Sequence, residues 1–203
     1  NPIQTATGNA TDVVTTGTFF DSAAARQAAN VTLNGVTFKR NLGGDAFDGS
    51  GITWTNRGSN SLNFANAPVS WDDNYETLAS YGIYSAGTSA SGGVTINLSG
   101  LVVGQEYLVQ MWTPYWHVNF KTQFIADNSS GLLDLGNVGD SRLSQYVVGT
   151  FTANATTQMI RATGDAGAGG HGIPSFMQVR TIPEPSAALL GGLGMLALFG
   201  RRR

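Results

Sequence analysis

Val94-Thr-Ile-Asn-Leu-Ser-Gly-Leu-Val-Val-Gly-Gln-Glu-Tyr-Leu-Val-Gln-Met111 is the stretch on which the fold turns. Val94, Ile96 and Leu98 alternate with Thr95, Asn97 and Ser99; Gly100 and Gly104 then bracket a break, and a second apolar-rich run follows from Tyr107. Alternation sends successive side chains to opposite faces of a strand, so each run predicts a half-buried β-strand. The two are expected to join through the glycine-bracketed turn as one supersecondary unit, with Ile96 and Leu98 sharing a core with Leu108 and the neighbours of Gln110.

The same texture continues on both sides. Short β-rich runs broken by Gly, Asn, Asp and Ser extend from Asp12 to Arg180. Such spacing belongs to sandwiches and barrels rather than to alternating βαβ units, and about eight to ten strands are expected. They are predicted at Val13 to Phe20, Val31 to Arg40, Ile52 to Thr55, Val94 to Leu98, Tyr107 to Thr113, Phe120 to Ala126, Tyr146 to Ala153, Gln158 to Thr163 and Phe176 to Thr181. Two short helices are expected: Ser22 to Ala29, from its alanines and an Asp21 cap, and Asp73 to Ser80 behind Asp72. The predicted class is all-β, a jelly-roll-like sandwich followed by a short hydrophobic C-terminal helix.

Composition narrows the function classes. Of 203 residues only 12% are charged, with 27 glycines and no cysteine. Disulfides, thiolate zinc sites and cysteine nucleophiles are therefore excluded, and uncharged polar side chains must carry solubility, a profile that suits extracellular β proteins. Residues 1–185 hold eight basic and thirteen acidic groups, a net of −5, which argues against nucleic-acid binding. The first residue is Asn1 rather than Met, and a trimmed leader is expected.

The C-terminus has a different character. Pro183-Glu184-Pro185 precedes an apolar run from Ser186 to Gly200, and Arg201-Arg202-Arg203 follow. Prolines block regular structure, an apolar segment partitions into lipid, and arginines stay on the cytoplasmic side. The 15 residues from Ser186 to Gly200 would span roughly 22 Å as a helix, short of the roughly 30 Å hydrocarbon core, and snorkelling or bilayer thinning covers the difference. A water-soluble helix is disfavoured by Gly191, Gly192, Gly194 and Gly200 and by the lack of a polar face.

In its Pro-Glu-Pro triplet, short glycine-containing apolar segment and basic end, this tail resembles the PEP-CTERM sorting signal of Gram-negative bacteria that make exopolysaccharide. The resemblance implies a body domain at 1–182 and a signal at 183–203. It also implies recognition by an exosortase, a membrane transpeptidase, with transient anchoring in the inner membrane before delivery to the cell surface or extracellular matrix. Leu33 to Phe38, Ile96 to Trp112 and Gln145 to Ala153 look like a group of PEP-CTERM proteins with a jelly-roll-like domain. The Leu98-to-Tyr107 element likewise resembles the strand-turn-strand unit of jelly-roll and fibronectin-like modules.

Several stretches are candidate sites. Trp112-Thr-Pro-Tyr-Trp-His117 runs from a predicted strand into a loop, where Trp112, Tyr115, Trp116 and His117 could stack on or bond to sugars of an exopolysaccharide. Trp54, Trp71 and Tyr75, with Asn56, Asn60 and Asn66 nearby, form a second aromatic stretch. Asp45 and Asp48 lie in a Gly-rich loop and offer calcium ligands without EF-hand spacing, so calcium is the one cofactor considered. Asp72, Asp73 and Glu76 form another acidic group, at a helix start whose dipole they complement.

Catalytic signals are weak. Gly139-Asp-Ser-Arg142 resembles the nucleophile block of one esterase family, but the downstream Asp-x-x-His is lacking, since Asp165 and His171 stand six apart. Those two residues bound a Gly-rich stretch with no phosphate-cradling Lys-Ser/Thr. His117 and His171 are the only histidines, too few for a histidine-rich metal centre. No spacing pairs Asp72, Glu76, Glu106 or Asp127 for glycoside hydrolysis. The expectation is an exported, non-catalytic surface or matrix protein, with a carbohydrate-binding module as the alternative and a secreted hydrolase as a lesser one.

Overall fold

A computed structural model describes residues 4–42, 44–55, 57–63, 71–85, 93–114, 122–128, 131–138, 144–164 and 172–183, with backbone alone for 57–63, 84–85, 122–128 and 131–138. In chain order the elements are β1 (Gln4–Thr5), a 3-10 turn (Ala10–Asp12), β2 (Thr18–Ala24), β3 (Val31–Leu33), β4 (Val36–Phe38), β5 (Ile52–Thr55) and β6 (Arg57–Asn63). Helix α1 (Asp73–Ala79) follows, then β7 (Tyr81–Ser85), β8 (Val94–Ser99), β9 (Glu106–Trp112), β10 (Thr122–Asn128) and β11 (Gly131–Val138). β12 (Gln145–Thr152), β13 (Thr157–Gly164) and β14 (Phe176–Ile182) complete the described chain.

Two five-stranded antiparallel sheets face each other, the first in the order β1-β12-β9-β14-β2 and the second β11-β10-β13-β8-β5. Between them lies an apolar core that includes Trp54, Ile96, Leu98, Tyr107, Val109, Met111, Val147, Ile160 and Val179. This is a β-sandwich, as the alternation predicts.

The quoted stretch forms both of its strands, but they do not pair. β8 belongs to the second sheet and β9 to the first, so residues 100–105 cross from one layer to the other. The crossing is fixed at its base: Leu101 is buried in the core, its N–H donates to the Thr156 carbonyl at 3.0 Å, and Val102 N–H donates to the Tyr107 hydroxyl at 2.9 Å. Ile96 and Leu98 meet Tyr107, Val109 and Met111 across the sandwich; Leu108 lies on the other face.

The predicted Ser22–Ala29 helix is strand as far as Ala24. Ala23 enters the inter-sheet core and Ala24 the layer outside the first sheet, a period of two that packing on both faces imposes over alanine's helix preference. The strand predicted from Val13 begins at Thr18, because 13–17 are held by side chains instead of a neighbouring strand. Val31 to Arg40 is a hairpin rather than one strand. Asn34 and Gly35, at φ 49° and 73°, make the two-residue turn with two left-handed positions that joins β3 to β4. α1 forms where predicted, capped by Asp72, whose Oδ1 accepts from the N–H groups of Asn74 and Tyr75 at 2.9 and 3.2 Å.

The sandwich has two poles. β14 ends, β9 and β2 begin, and β12 ends at the pole from which the C-terminal tail departs, as their pairing registers require. The other pole holds the end of β9 at Trp112 and the starts of β12 and β14.

Candidate functional site

Along β9 and β14 the inward residues are Tyr107, Val109, Met111, Met177 and Val179, which leaves Gln110, Gln178 and Arg180 on the outer face of the first sheet. A polar row on an outer face ordinarily meets water, yet Gln110 and Gln178 are fully buried and Arg180 is 7% exposed. The cover is the chain's own segment 12–17. Gln110 donates to the Asp12 carbonyl at 2.6 Å and accepts from Val14 N–H at 2.9 Å. Gln178 Nε2 donates to the Val14 carbonyl and to Gln110 Oε1, both at 2.8 Å. Arg180 reaches three successive carbonyls, Thr15 at 3.0 Å, Thr16 at 2.7 Å and Gly17 at 2.9 Å, and bonds Gln178 Oε1 at 3.3 Å.

This clamp satisfies main-chain groups that would otherwise be orphaned under the layer. Burial pulls the Arg180 guanidinium below its ordinary pKa. Gly17 has φ 78°, and a Cβ there would lie 2.3 Å from the Thr181 carbonyl, so only glycine lets the segment turn into β2.

Beside the clamp lies an aromatic layer. Trp112 stacks on Phe176 with ring centroids 4.3 Å apart, Phe38 stands edge-on to Phe176 at 5.2 Å, and Tyr75 of α1 does so at 5.8 Å. Trp71 packs on Tyr75 at 5.3 Å. Trp112 therefore fills the core of this layer and offers no face to a sugar, unlike its sequence-predicted role. Trp54, Trp71 and Tyr75 are likewise core residues, Trp54 edge-on to Phe47 at 5.0 Å. The Tyr75 hydroxyl and the Trp112 indole N–H are buried without a hydrogen-bond partner among the described residues. Burial, and then the charge of Asp12, push the Tyr75 hydroxyl well above the ordinary tyrosine value, and the same two causes raise Tyr146.

Asp45 is exposed, with its carbonyl taken by Trp54 N–H at 2.9 Å; Asp48 bonds Asn30 Nδ2 at 3.4 Å and stands 3.8 Å from Arg40 Nε. No group of three metal-ligating side chains occurs among the described residues. Asp72 is spent on the cap of α1. Glu106 starts β9 at the tail pole, whereas α1 packs through Tyr75 on Phe176 at the other, so the described carboxylates Glu106, Asp72 and Glu76 are not gathered. Tyr115, Trp116, His117, Ser141, Asp165, His171, Asn56, Asn66 and residues 184–203 lie outside the described residues, as do the side chains of Asn60 and Asp127. Both described flanks of the Tyr115–His117 stretch, Pro114 after β9 and Thr122 at the start of β10, lie at the pole opposite the tail.

At the tail pole, Gln105 Nε2 donates to the Ile182 carbonyl at 2.6 Å, fixing the last residue of β14 before Pro183 leaves the domain. The sequence beyond is the proline, apolar and arginine series, and residues 181–203 match the family model of the PEP-CTERM protein-sorting motif. The chain carries a PEP-CTERM sorting motif. The motif implies export and recognition by a membrane exosortase. Its match begins at Thr181, inside β14, so the signal is joined to the sandwich without a spacer.

No curated protein matches this chain in sequence. Among solved structures it is similar to protein YXIM of Bacillus subtilis, at TM-score 0.50 and 12% identity over 81% of this chain and 40% of that one. It thus spans about two fifths of the length of the Bacillus protein, and the likeness concerns fold alone. The xylan-binding CBM22-1 domain of Paenibacillus barcinonensis Xyn10C aligns at TM-score 0.45 and 11% identity, over 84% of this chain and 98% of that one. The CBM22-1–GH10 modules of Clostridium thermocellum xylanase 10B align at TM-score 0.41 and 10% identity, over 64% and 26%. TM-scores below 0.5 leave these two without weight for fold or ligand.

The clamp was not foreseeable from spacing. Alternation assigns Gln110, Gln178 and Arg180 to one face, but not to a buried one.

Proposed function

We propose that the protein is a non-catalytic component of the cell surface or extracellular matrix, exported, held at the inner membrane by its tail and delivered after exosortase action to an exopolysaccharide layer. The observation that carries the reading is the sorting motif at 181–203, joined directly to a sandwich formed by the preceding residues. The scarcity of charge, with solubility left to uncharged polar side chains, supports an extracellular setting. Deleting Pro183 to Arg203 is expected to misplace the protein on cell fractionation, and replacing Arg201 to Arg203 is expected to weaken membrane retention. Unchanged distribution in both would sink the reading.

A second reading adds carbohydrate binding by Tyr115, Trp116 and His117. It is favoured by the flanks of that stretch, which lie at the pole opposite the tail and so face away from a membrane that holds the tail. Calcium at Asp45 and Asp48 belongs to the same reading. Polysaccharide pull-down with the full chain, against Trp116→Ala and with chelator, tests both elements. Binding that survives Trp116→Ala would remove the aromatic site.

A further inference from the structure

Two valines stand exposed on a turn held by four hydrogen bonds. Val102 is 64% and Val103 60% exposed, between the buried Leu101 and Gly104. The turn is held by bonds from Leu101 N–H to Thr156, Gln105 N–H to Val102, Gly104 N–H to Ala153, and Val102 N–H to the Tyr107 hydroxyl. The valines are thus presented on a fixed support, so docking them on a surface requires little ordering.

The turn lies where the chain leaves for the tail. Gln105, which closes the turn, bonds the Ile182 carbonyl, and Ile182 pairs with Glu106. Phe19, 38% exposed, is the second residue of β2 and lies opposite Arg180 of β14. Segment 99–105 and the neighbouring 152–157 contain no charged residue, and Glu106 is the acidic group at their edge. Ala187, where the unbroken apolar run starts, is only four residue steps beyond Pro183, a reach of at most about 14 Å at roughly 3.5 Å per residue. A tail seated in a bilayer keeps this pole within that distance of the lipid.

We infer that the Val102–Val103 turn is a membrane-docking surface that inserts at the lipid headgroup level while the tail is anchored, so that the domain stands on the membrane with its tail pole down. Exposed aliphatic pairs are unremarkable alone; a short tether and an uncharged surround turn this pair into a contact with lipid. The inference rests on the tail acting as a membrane anchor.

The chain lacks cysteine, so single thiols can be placed without background. The full chain carrying Val103→Cys, Ala29→Cys or Leu196→Cys would be labelled with an environment-sensitive fluorophore and reconstituted in phosphatidylethanolamine and phosphatidylglycerol vesicles with brominated acyl chains. Ala29 is exposed and follows β2 at the opposite pole. The expected result is at least about two-fold quenching at positions 103 and 196 and none at 29. Quenching at 196 with 103 behaving like 29 would overturn the docking surface and leave the anchor standing. Quenching at neither would overturn the anchor reading and the docking surface with it.

Discussion

The two faces of the first sheet are made by the same strands and are solved differently. Inward, Tyr107, Val109, Met111 and Val179 meet a second sheet, and apolar contact suffices. Outward, the sheet presents an aromatic end at Trp112 and Phe176 and a polar end at Gln110, Gln178 and Arg180; the aromatic end is covered by α1 and the β3–β4 hairpin and the polar end by irregular chain. A sheet covers another with matched alternation. A loop cover brings bare backbone groups, which must find donors and acceptors in the face below it. Amides and a guanidinium on an outer face are the chemistry that lets a non-strand segment pack there with its inward main-chain groups bonded.

The largest effect should come from adjacent residues on opposite faces. Met111→Ala and Trp112→Ala should each lower unfolding free energy by about 3–4 kcal/mol in urea titration, since both are fully buried. A loss below about 1 kcal/mol for Trp112→Ala alone would mean that the outer layer detaches from a self-sufficient sandwich. Arg180→Leu should cost about 3 kcal/mol, because it leaves three carbonyls without their charged donor, and should raise amide exchange in 12–17 before global unfolding. Unaltered exchange there would break the claim that the clamp holds the segment.

Asp72→Ala should cost about 1 kcal/mol by removing the cap of α1, a smaller loss because that helix covers only one end of the face. Tyr75→Phe should be nearly neutral at pH 7, since its hydroxyl has no hydrogen-bond partner among the described residues. Its effect should emerge in alkali. Folding raises the Tyr75 pKa, so the folded state favours the protonated form; stability is intact below the ordinary tyrosine value of about 10 and is lost as pH rises beyond it. Tyr75→Phe should therefore move the alkaline unfolding midpoint upward, and an unmoved midpoint would show that Tyr146 or another group sets it.

The strands were legible where alternation was strict. Ile52–Thr55 is placed as predicted, and β8, β9, β12, β13 and β14 differ from expectation only at their ends. What period two does not contain is partnership: β8 and β9 read as one turn-linked unit and lie in different sheets, because a six-residue connection anchored by a buried Leu101 bridges layers. Composition misled at Ser22–Ala29, where alanine's helix preference gave way to its small size between two packed layers. Aromatic clustering misled at Trp112, since proximity in sequence to Tyr115 and Trp116 says nothing of which ring faces inward.

By itself the sequence determined the β class and the sorting tail, because both rest on local order: side-chain alternation for the strands, and a linear series of proline, apolar and basic residues for the signal. Only tertiary structure decided which strands share a sheet, that Gln110, Gln178 and Arg180 clamp the chain's own segment, and that Val102 and Val103 stand at the pole where the tail departs. Those relations join groups far apart in the chain, and their energies depend on desolvation and geometry that exist only once the layers close.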